Sequence, residues 1–183
     1  LNENKKNTVK INDDLLGEGQ DRFTVNCNEY LPPEKQKVLR AVVIMPPTGG
    51  ENYLDRQYAK ELAKKGAHVK IATSWSGDGE QDYGLAIHQR LHSRAVIAIE
   101  VLANSFNDNL KVSLLGTSVG GLFSSIAASK LDSIDRVFVI GAGISIPEVI
   151  VVSTQDAMQK LKKVRFEKFS FRDNSEYVDS LEK

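Results

Sequence analysis

Residues 110–130 read LKVSLLGTSVGGLFSSIAASK, and this stretch decides the fold. It starts with an apolar run short enough for a buried strand and ends with apolar residues at the spacing of a helix packed on a core. Between them lies the G-x-S-x-G pattern GTSVG, residues 116–120. A strand that turns directly into a helix leaves no room for a Cβ at Gly116 or Gly120, because either would collide with nearby backbone. The pattern therefore predicts a tight turn that holds the Ser118 hydroxyl at the end of the strand, beside the free N–H groups of a helix start.

Two phosphate-binding interpretations of the same turn fail on residue type. Gly116 and Gly121 have the spacing of a P-loop, but Leu122 and Phe123 occupy the positions of its lysine and serine. A dinucleotide site would need G-x-G-x-x-G, which this turn does not contain. A purely structural turn with an ordinary serine remains the alternative.

The composition excludes several classes of protein. Basic and acidic residues both number 24, so the net charge is zero and we expect no nucleic-acid partner. The single cysteine, Cys27, can form no internal disulfide and is predicted to be a buried structural thiol; we expect neither a metal nor a cofactor. No apolar run reaches the roughly 18 residues of a membrane span. A soluble protein is predicted, with the cytoplasm favoured although no motif fixes the compartment.

The remaining pattern alternates strands and helices within a chain of 183 residues, enough for one sizeable core. An antiparallel hairpin is predicted over 8–16 and 22–31, followed by strands at 38–45, 69–73, 112–115 and 137–140. Helices are predicted at 53–65, 85–106 and 118–130. This order predicts an α/β three-layer domain with a mostly parallel sheet and an N-terminal antiparallel hairpin. Residues 148–183 break the pattern, with helix starts predicted by a capping box at Ser153 and by Asp173-x-x-Glu176.

The arrangement resembles the α/β-hydrolase superfamily over residues 8–147. The likeness rests on the 116–120 turn, the loop PPTGG at residues 46–50 and the strand order around them. It implies a serine esterase in which Ser118 is the nucleophile, Gly116 and Gly120 are the glycines of the nucleophile elbow, and a small-molecule ester is cleaved through an acyl-enzyme. The oxyanion hole would use the backbone N–H of Val119 and that of Thr48, since the two prolines before Thr48 have no N–H.

The chain departs from the family pattern in the residues that would assist the nucleophile. Family members place an acid and then a histidine after the nucleophile, whereas His68, His88 and His92 all precede Ser118. We interpret His68 as a surface residue and the other two as part of a solvated helix face.

Residues 1–147 are then the N-terminal part of a hydrolase core and 148–183 a cap-like helical segment, so we expect the chain alone to be inactive. The strand at 137–140 would be an exposed sheet edge through which two copies could form a homodimer. A non-catalytic binding or scaffold protein of the same fold is the alternative function.

Overall fold

The computed structural model describes residues 5–10, 24–47, 50–74, 87–107, 110–143 and 145–181. Its strands are β1 (Lys5–Lys10), β2 (Thr24–Tyr30), β3 (Arg40–Met45), β4 (Ala67–Ser74), β5 (Val112–Thr117) and β6 (Ile134–Ile140). Its helices are α1 (Tyr53–Lys64), α2 (Ile87–Asn104), α3 (Val119–Ala128), α4 (Ile146–Val152), α5 (Asp156–Phe169) and α6 (Asn174–Leu181). The predicted alternation is confirmed, while the hairpin turn predicted at 17–20 lies outside the described residues.

The strands form one sheet in the order β1-β2-β4-β3-β5-β6. Strands β3, β4, β5 and β6 pair in parallel, and β1 and β2 join antiparallel at one end, as the sequence predicts. Because parallel strands require helical crossovers, the central strands are covered on both faces. The carboxyl ends of β3 and β5 lie side by side, with Met45 opposite Gly116. This adjacency places the loop after β3 next to the turn after β5.

Alternate residues of the central strands point to opposite faces of the sheet and pack into two separate hydrophobic cores. Val43 and Leu114 pack on the face covered by α2 and α3, where Leu102 and Phe123 are almost fully buried. Ile44 and Leu115 pack on the opposite face, which is covered by α1. Cys27 is 1% exposed and belongs to the first core, so the predicted buried thiol is confirmed. Burial raises the pKa of this thiol, although nearby Lys70 acts in the opposite direction.

A group of polar side chains, here called the Lys70 cluster, lies between β2, β4 and the end of α2, with Lys70 buried and Glu29 and His68 partly buried. It consists of Glu29, His68, Lys70 and Ser105. Lys70 Nζ donates to the Ser105 hydroxyl (2.6 Å) and to the Ser105 carbonyl oxygen (3.0 Å), directly after the last residue of α2. Glu29 Oε1 lies 3.8 Å from Lys70 Nζ and 2.6 Å from His68 Nε2. The cluster therefore joins two strands to a helix end through charge-assisted contacts.

The interpretation of His68 as a surface residue is wrong. Only 17% of its side chain is exposed, because Phe106 packs edge-on against its ring and Glu29 lies at its Nε2. Burial lowers the pKa of His68, and the hydrogen bond to Glu29 opposes this effect. Burial likewise lowers the pKa of Lys70, again opposed by Glu29.

The segment after β6 differs in part from its prediction. No helix is among those predicted at Ile146–Val152, yet α4 forms there: Ser145 caps it by accepting from the Glu148 N–H, and a proline lies in its first turn. The predicted capping box at Ser153 is wrong, since α5 has Gln155 as its N-cap without a side-chain hydrogen bond. At the start of α6 the Asp173 carboxylate accepts from the Glu176 N–H (3.0 Å), so this predicted helix start is confirmed.

Strand β6 forms the end of the sheet within the described residues, because its pairing there is with β5. Phe138, Val139 and Ile140 are 53%, 47% and 42% exposed. Residues of β6 line an apolar groove of about 720 Å³ together with Tyr58 and Leu62 of α1. Among the described helices, none has the length and apolar character needed to cross a bilayer.

Candidate active site

Ser118 lies at the turn between β5 and α3, as the G-x-S-x-G pattern predicts. Its backbone has φ 53° and ψ −126°, a left-handed conformation that costs a non-glycine residue roughly 1–3 kcal/mol. The Ser118 N–H donates to the carbonyl oxygen of Ile140 (2.9 Å), and its own carbonyl accepts from the Gly121 N–H (2.9 Å). These bonds hold the strained turn in place while the side chain remains exposed.

The glycines around Ser118 are required by close backbone contacts. A Cβ on Gly116 would collide with the Gly120 carbonyl and the Gly121 Cα, and one on Gly120 would collide with the carbonyl oxygens of Met45 and Pro46. The steric prediction for Gly116 and Gly120 is thus confirmed. The same contacts bring the first turn of α3 directly against the end of β3.

Of the two expected oxyanion-hole donors, one lies in the described part of the chain. Val119 is the first residue of α3, where backbone N–H groups have no partner within the helix. Thr48 lies outside the described residues. Of the described residues that flank it in sequence, Gly50 has φ 89° and donates its N–H to the carbonyl oxygen of Pro47 (3.0 Å).

A buried carboxylate connects the elbow to α1, and the sequence analysis missed it. Asp55 is fully buried; its Oδ1 accepts from the Thr117 hydroxyl (3.1 Å) and its Oδ2 from the Asn52 N–H (3.0 Å). The Asn52 side chain in turn accepts from the N–H groups of Leu54 and Asp55, which completes a capping box. The spacing Asn-x-x-Asp after Gly49-Gly50 is the local signal that could have identified it. Asp55 therefore fixes the residue before Ser118 to the helix that follows the 46–50 loop.

Ser118 opens onto a pocket of about 620 Å³ between α3 and the segment after β6. Its apolar walls come from α2, α3, α4 and α5. They are formed by Leu91, Val119, Leu122, Phe123, Val149, Ile150, Met158 and Leu161. A volume of this size lies within the roughly 300–1,000 Å³ of small-molecule sites.

No described residue forms a hydrogen bond with Ser118 Oγ, so neither His68 nor His92 acts as a base in contact with it. His92 packs edge-on against Phe123 with its Nε2 buried and without a partner among the described residues, so the prediction of a solvated helix face is wrong for His92. Burial and the Lys130 charge both lower the pKa of His92. The side chain of His88 lies outside the described part. Within the described residues no group of His, Cys, Asp or Glu is arranged to hold a metal ion.

Comparisons with known proteins give matches in structure alone. No protein-family model matches the chain, and no curated protein matches its sequence. Among solved structures, an α/β hydrolase, GrgF from Penicillium sp. sh18, is 13% identical with a TM-score of 0.60, over 91% of this chain and 53% of that one. The dienelactone hydrolase-like promiscuous phosphotriesterase P91 from metagenomic libraries is 16% identical with a TM-score of 0.58, over 91% of this chain and 78% of that one. Est1E from Butyrivibrio proteoclasticus is 16% identical with a TM-score of 0.58, over 81% of this chain and 56% of that one.

Identities this low establish the fold alone. The sheet order, the strand–turn–helix at Ser118 and these likenesses agree with one another. The chain has the α/β-hydrolase fold.

Proposed function

We propose that this chain carries the nucleophile of a serine hydrolase that cleaves carboxylic esters through an acyl-Ser118 intermediate. The observation that supports it most directly is the left-handed backbone of Ser118, exposed at the mouth of a 620 Å³ pocket. Strained conformations persist where the surrounding structure enforces them, and they cluster at functional sites. Ser170 also has a positive φ (55°), but with ψ 38° it has the common conformation of a helix end, whereas Ser118 combines its positive φ with ψ −126°.

In the proposed reaction the Ser118 oxygen attacks the ester carbonyl carbon, and the hydroxyl proton passes to a base. The negative charge on the former carbonyl oxygen is stabilised by the N–H groups of Val119 and Thr48, each such donor typically contributing about 3–4 kcal/mol. The alcohol then leaves with a proton, and water releases the acid from acyl-Ser118. In this proposal the acid and histidine of the triad are not among residues 1–183.

The helices after β6 are proposed to form a cap, with the hydrolase core at residues 1–147 and the cap-like segment at 148–183. Helices α4 and α5 supply Val149, Ile150, Met158 and Leu161 to the pocket wall opposite α3. A wall in this position contacts the bound substrate and shields it from water.

The proposal can be tested by supplying the missing base in solution. Without a base the chain should show no ester turnover above that of Ser118→Ala, because a serine hydroxyl is a poor nucleophile by itself. With imidazole added, p-nitrophenyl acetate should transfer one acetyl group to Ser118. The adduct should persist once the imidazole is removed, since no base is then present to activate the water that would hydrolyse it. Intact-mass spectrometry and peptide mapping measure the adduct.

Two variants act as controls for this experiment. Ser118→Ala should abolish the adduct at position 118, because alanine has no hydroxyl to acylate. Ser129→Ala removes an exposed serine of ordinary backbone conformation and should change nothing. Equal acylation in wild type and Ser118→Ala would contradict the proposal and favour the binding or scaffold protein. Turnover without imidazole would instead place a base within residues 1–183.

We also propose that β6 pairs with β6 of a second copy. A regular strand edge with exposed Phe138, Val139 and Ile140 presents both unpaired backbone groups and apolar area. Sedimentation at about 100 µM should show a homodimer that Phe138→Lys dissociates, since a charged edge disfavours pairing. Val152→Lys, which removes a more exposed apolar side chain elsewhere, should leave the dimer intact. A monomeric wild type would refute the edge pairing.

A further inference from the structure

The lining of the Ser118 pocket contains no charged residue among those described. Its inner surface is apolar, with Leu122 and Phe123 of α3 facing Ile150, Met158 and Leu161 across the cavity. Transfer of a carboxylate or phosphate into such a space is strongly unfavourable unless a partner charge is present. The described part of the lining therefore disfavours anionic groups.

The polar side chains at the pocket are largely engaged in the protein itself. The Ser145 hydroxyl oxygen accepts from the Glu148 N–H and that of Ser153 from the Gln155 N–H (3.2 Å), so both serve the ends of helices. Gln155 is exposed at the N-cap of α5. Ser118 is thus the hydroxyl that no described residue engages, placed at one end of an apolar space.

We propose, on the basis of the proposed function, that the acyl group taken by Ser118 is neutral and apolar, a straight or branched chain extending from the serine toward Met158. Leu122, Met158 and Leu161 determine its length. The carbonyl carbon lies at Ser118, and the chain lies between α3 and α5. Esters whose acyl group ends in a carboxylate, and phosphate-bearing substrates, are excluded.

The first test measures the imidazole-assisted acylation of Ser118 by neutral p-nitrophenyl esters of increasing length. From acetate to hexanoate the Ser118-dependent rate should rise by about threefold to fourfold per methylene, the value of burying a CH₂ group. The hemisuccinate ester should react at least about tenfold more slowly than the butyrate ester of equal chain length. Met158→Trp narrows the cavity and should abolish the gain with length. Lys160→Trp adds the same indole on the exposed side of α5 and should preserve the gain.

A second test separates the pocket from the chemistry. Octanamide, a neutral ligand without a leaving group, should bind saturably to wild type and to Ser118→Ala in ligand-observed NMR. Binding should weaken by at least tenfold in Met158→Trp and not in Lys160→Trp. If octanamide binds in this way and no ester acylates Ser118, the proposed function fails and the apolar site stands. If acetate and hexanoate acylate equally and octanamide does not bind, the inference fails while the serine chemistry stands.

Discussion

Two polar regions of this molecule are built in opposite ways. In the Lys70 cluster the side chains of Glu29, His68 and Lys70 are largely buried and bonded to one another or to Ser105. At the elbow Ser118 is exposed, has no hydrogen-bond partner for its hydroxyl among the described residues, and has a left-handed backbone. Buried charges require partners, and the cluster provides them. The exposed hydroxyl of Ser118 lies in a strained turn and forms no hydrogen bond with a described residue that would offset the strain. The elbow, and not the more highly charged cluster, is therefore the candidate site.

The same contrast appears in the backbone around each region. The elbow fits only because Gly116 and Gly120 let the start of α3 touch β3, so its geometry depends on the absence of side chains. The cluster depends on their presence. Substitutions should therefore affect the two regions through different mechanisms, and the effects can be ranked.

The largest effect is expected for Gly120→Ala. Its Cβ would overlap the carbonyl oxygens of Met45 and Pro46, and neither strand nor helix can move without breaking the sheet. We expect the free energy of unfolding to fall by more than about 4 kcal/mol, the range of severe backbone clashes. Urea denaturation measures it.

The matched control is Gly141→Ala. Gly141 has φ 61° but open space around its Cβ position, so only the left-handed conformation costs energy, about 1–2 kcal/mol. Similar losses in the two variants would show that conformation and not crowding defines the elbow.

A smaller loss is expected for Lys70→Met. The substitution removes the buried ammonium together with its hydrogen bonds to Ser105 and its ion pair with Glu29; a hydrogen bond to a charged group typically contributes about 1.5–3 kcal/mol. The double variant Lys70→Met with Glu29→Gln should recover part of this loss. Lys64→Met removes an exposed lysine that pairs with Glu61 and should change stability by less than about 1 kcal/mol. Acylation of Ser118 in the folded fraction should not change in any of them; a change would connect the cluster to the site.

The sequence predicted the elbow better than the cluster, for a physical reason. The G-x-S-x-G turn, the strand before it and the helix after it are consecutive in sequence, so their geometry can be predicted from neighbouring residues. The cluster joins Glu29, His68, Lys70 and Ser105, whose pairing exists only once β2 lies beside β4 and α2 ends above both. Asp55 could be predicted in part: its capping box involves neighbouring residues, whereas its hydrogen bond to Thr117 joins residues 62 apart in sequence.

The third prediction compares glycine with alanine at Ser118. Neither residue can be acylated, but glycine adopts φ 53° without penalty, so Ser118→Gly should be more stable than Ser118→Ala by about 1 kcal/mol. At Ser129, which has φ −74°, the order should reverse, with alanine more stable by roughly 0.5–1 kcal/mol. Thermal unfolding of the four variants measures both differences. The same order at both positions would mean that the elbow is not strained.

The smallest effect concerns the response of the two regions to acid. Burial and Lys130 lower the pKa of His92, which packs on the elbow helix through Phe123, so His92 is neutral in the folded state when the unfolded chain begins to bind a proton. Between the unfolded histidine pKa of about 6.5 and the lower folded value, the unfolded state binds more protons. Stability from this residue is therefore complete above about pH 6.5 and is lost as the pH falls below it.

His68 gives the comparison that sharpens this prediction. Burial lowers its pKa as well, but Glu29 opposes the effect, so its contribution to the same loss should be smaller. Urea midpoints between pH 7.5 and 5 should show a slope that His92→Leu reduces more than His68→Gln does. The absolute stabilities will differ because each substitution changes packing, and the slope is the quantity to compare. A slope that survives in His92→Leu and disappears in His68→Gln would place the acid-sensitive charge in the Lys70 cluster. That result would mean that Glu29 does not offset the effect of burial on the pKa of His68. The stability of the Lys70 cluster would then depend on pH more strongly than that of the region around His92.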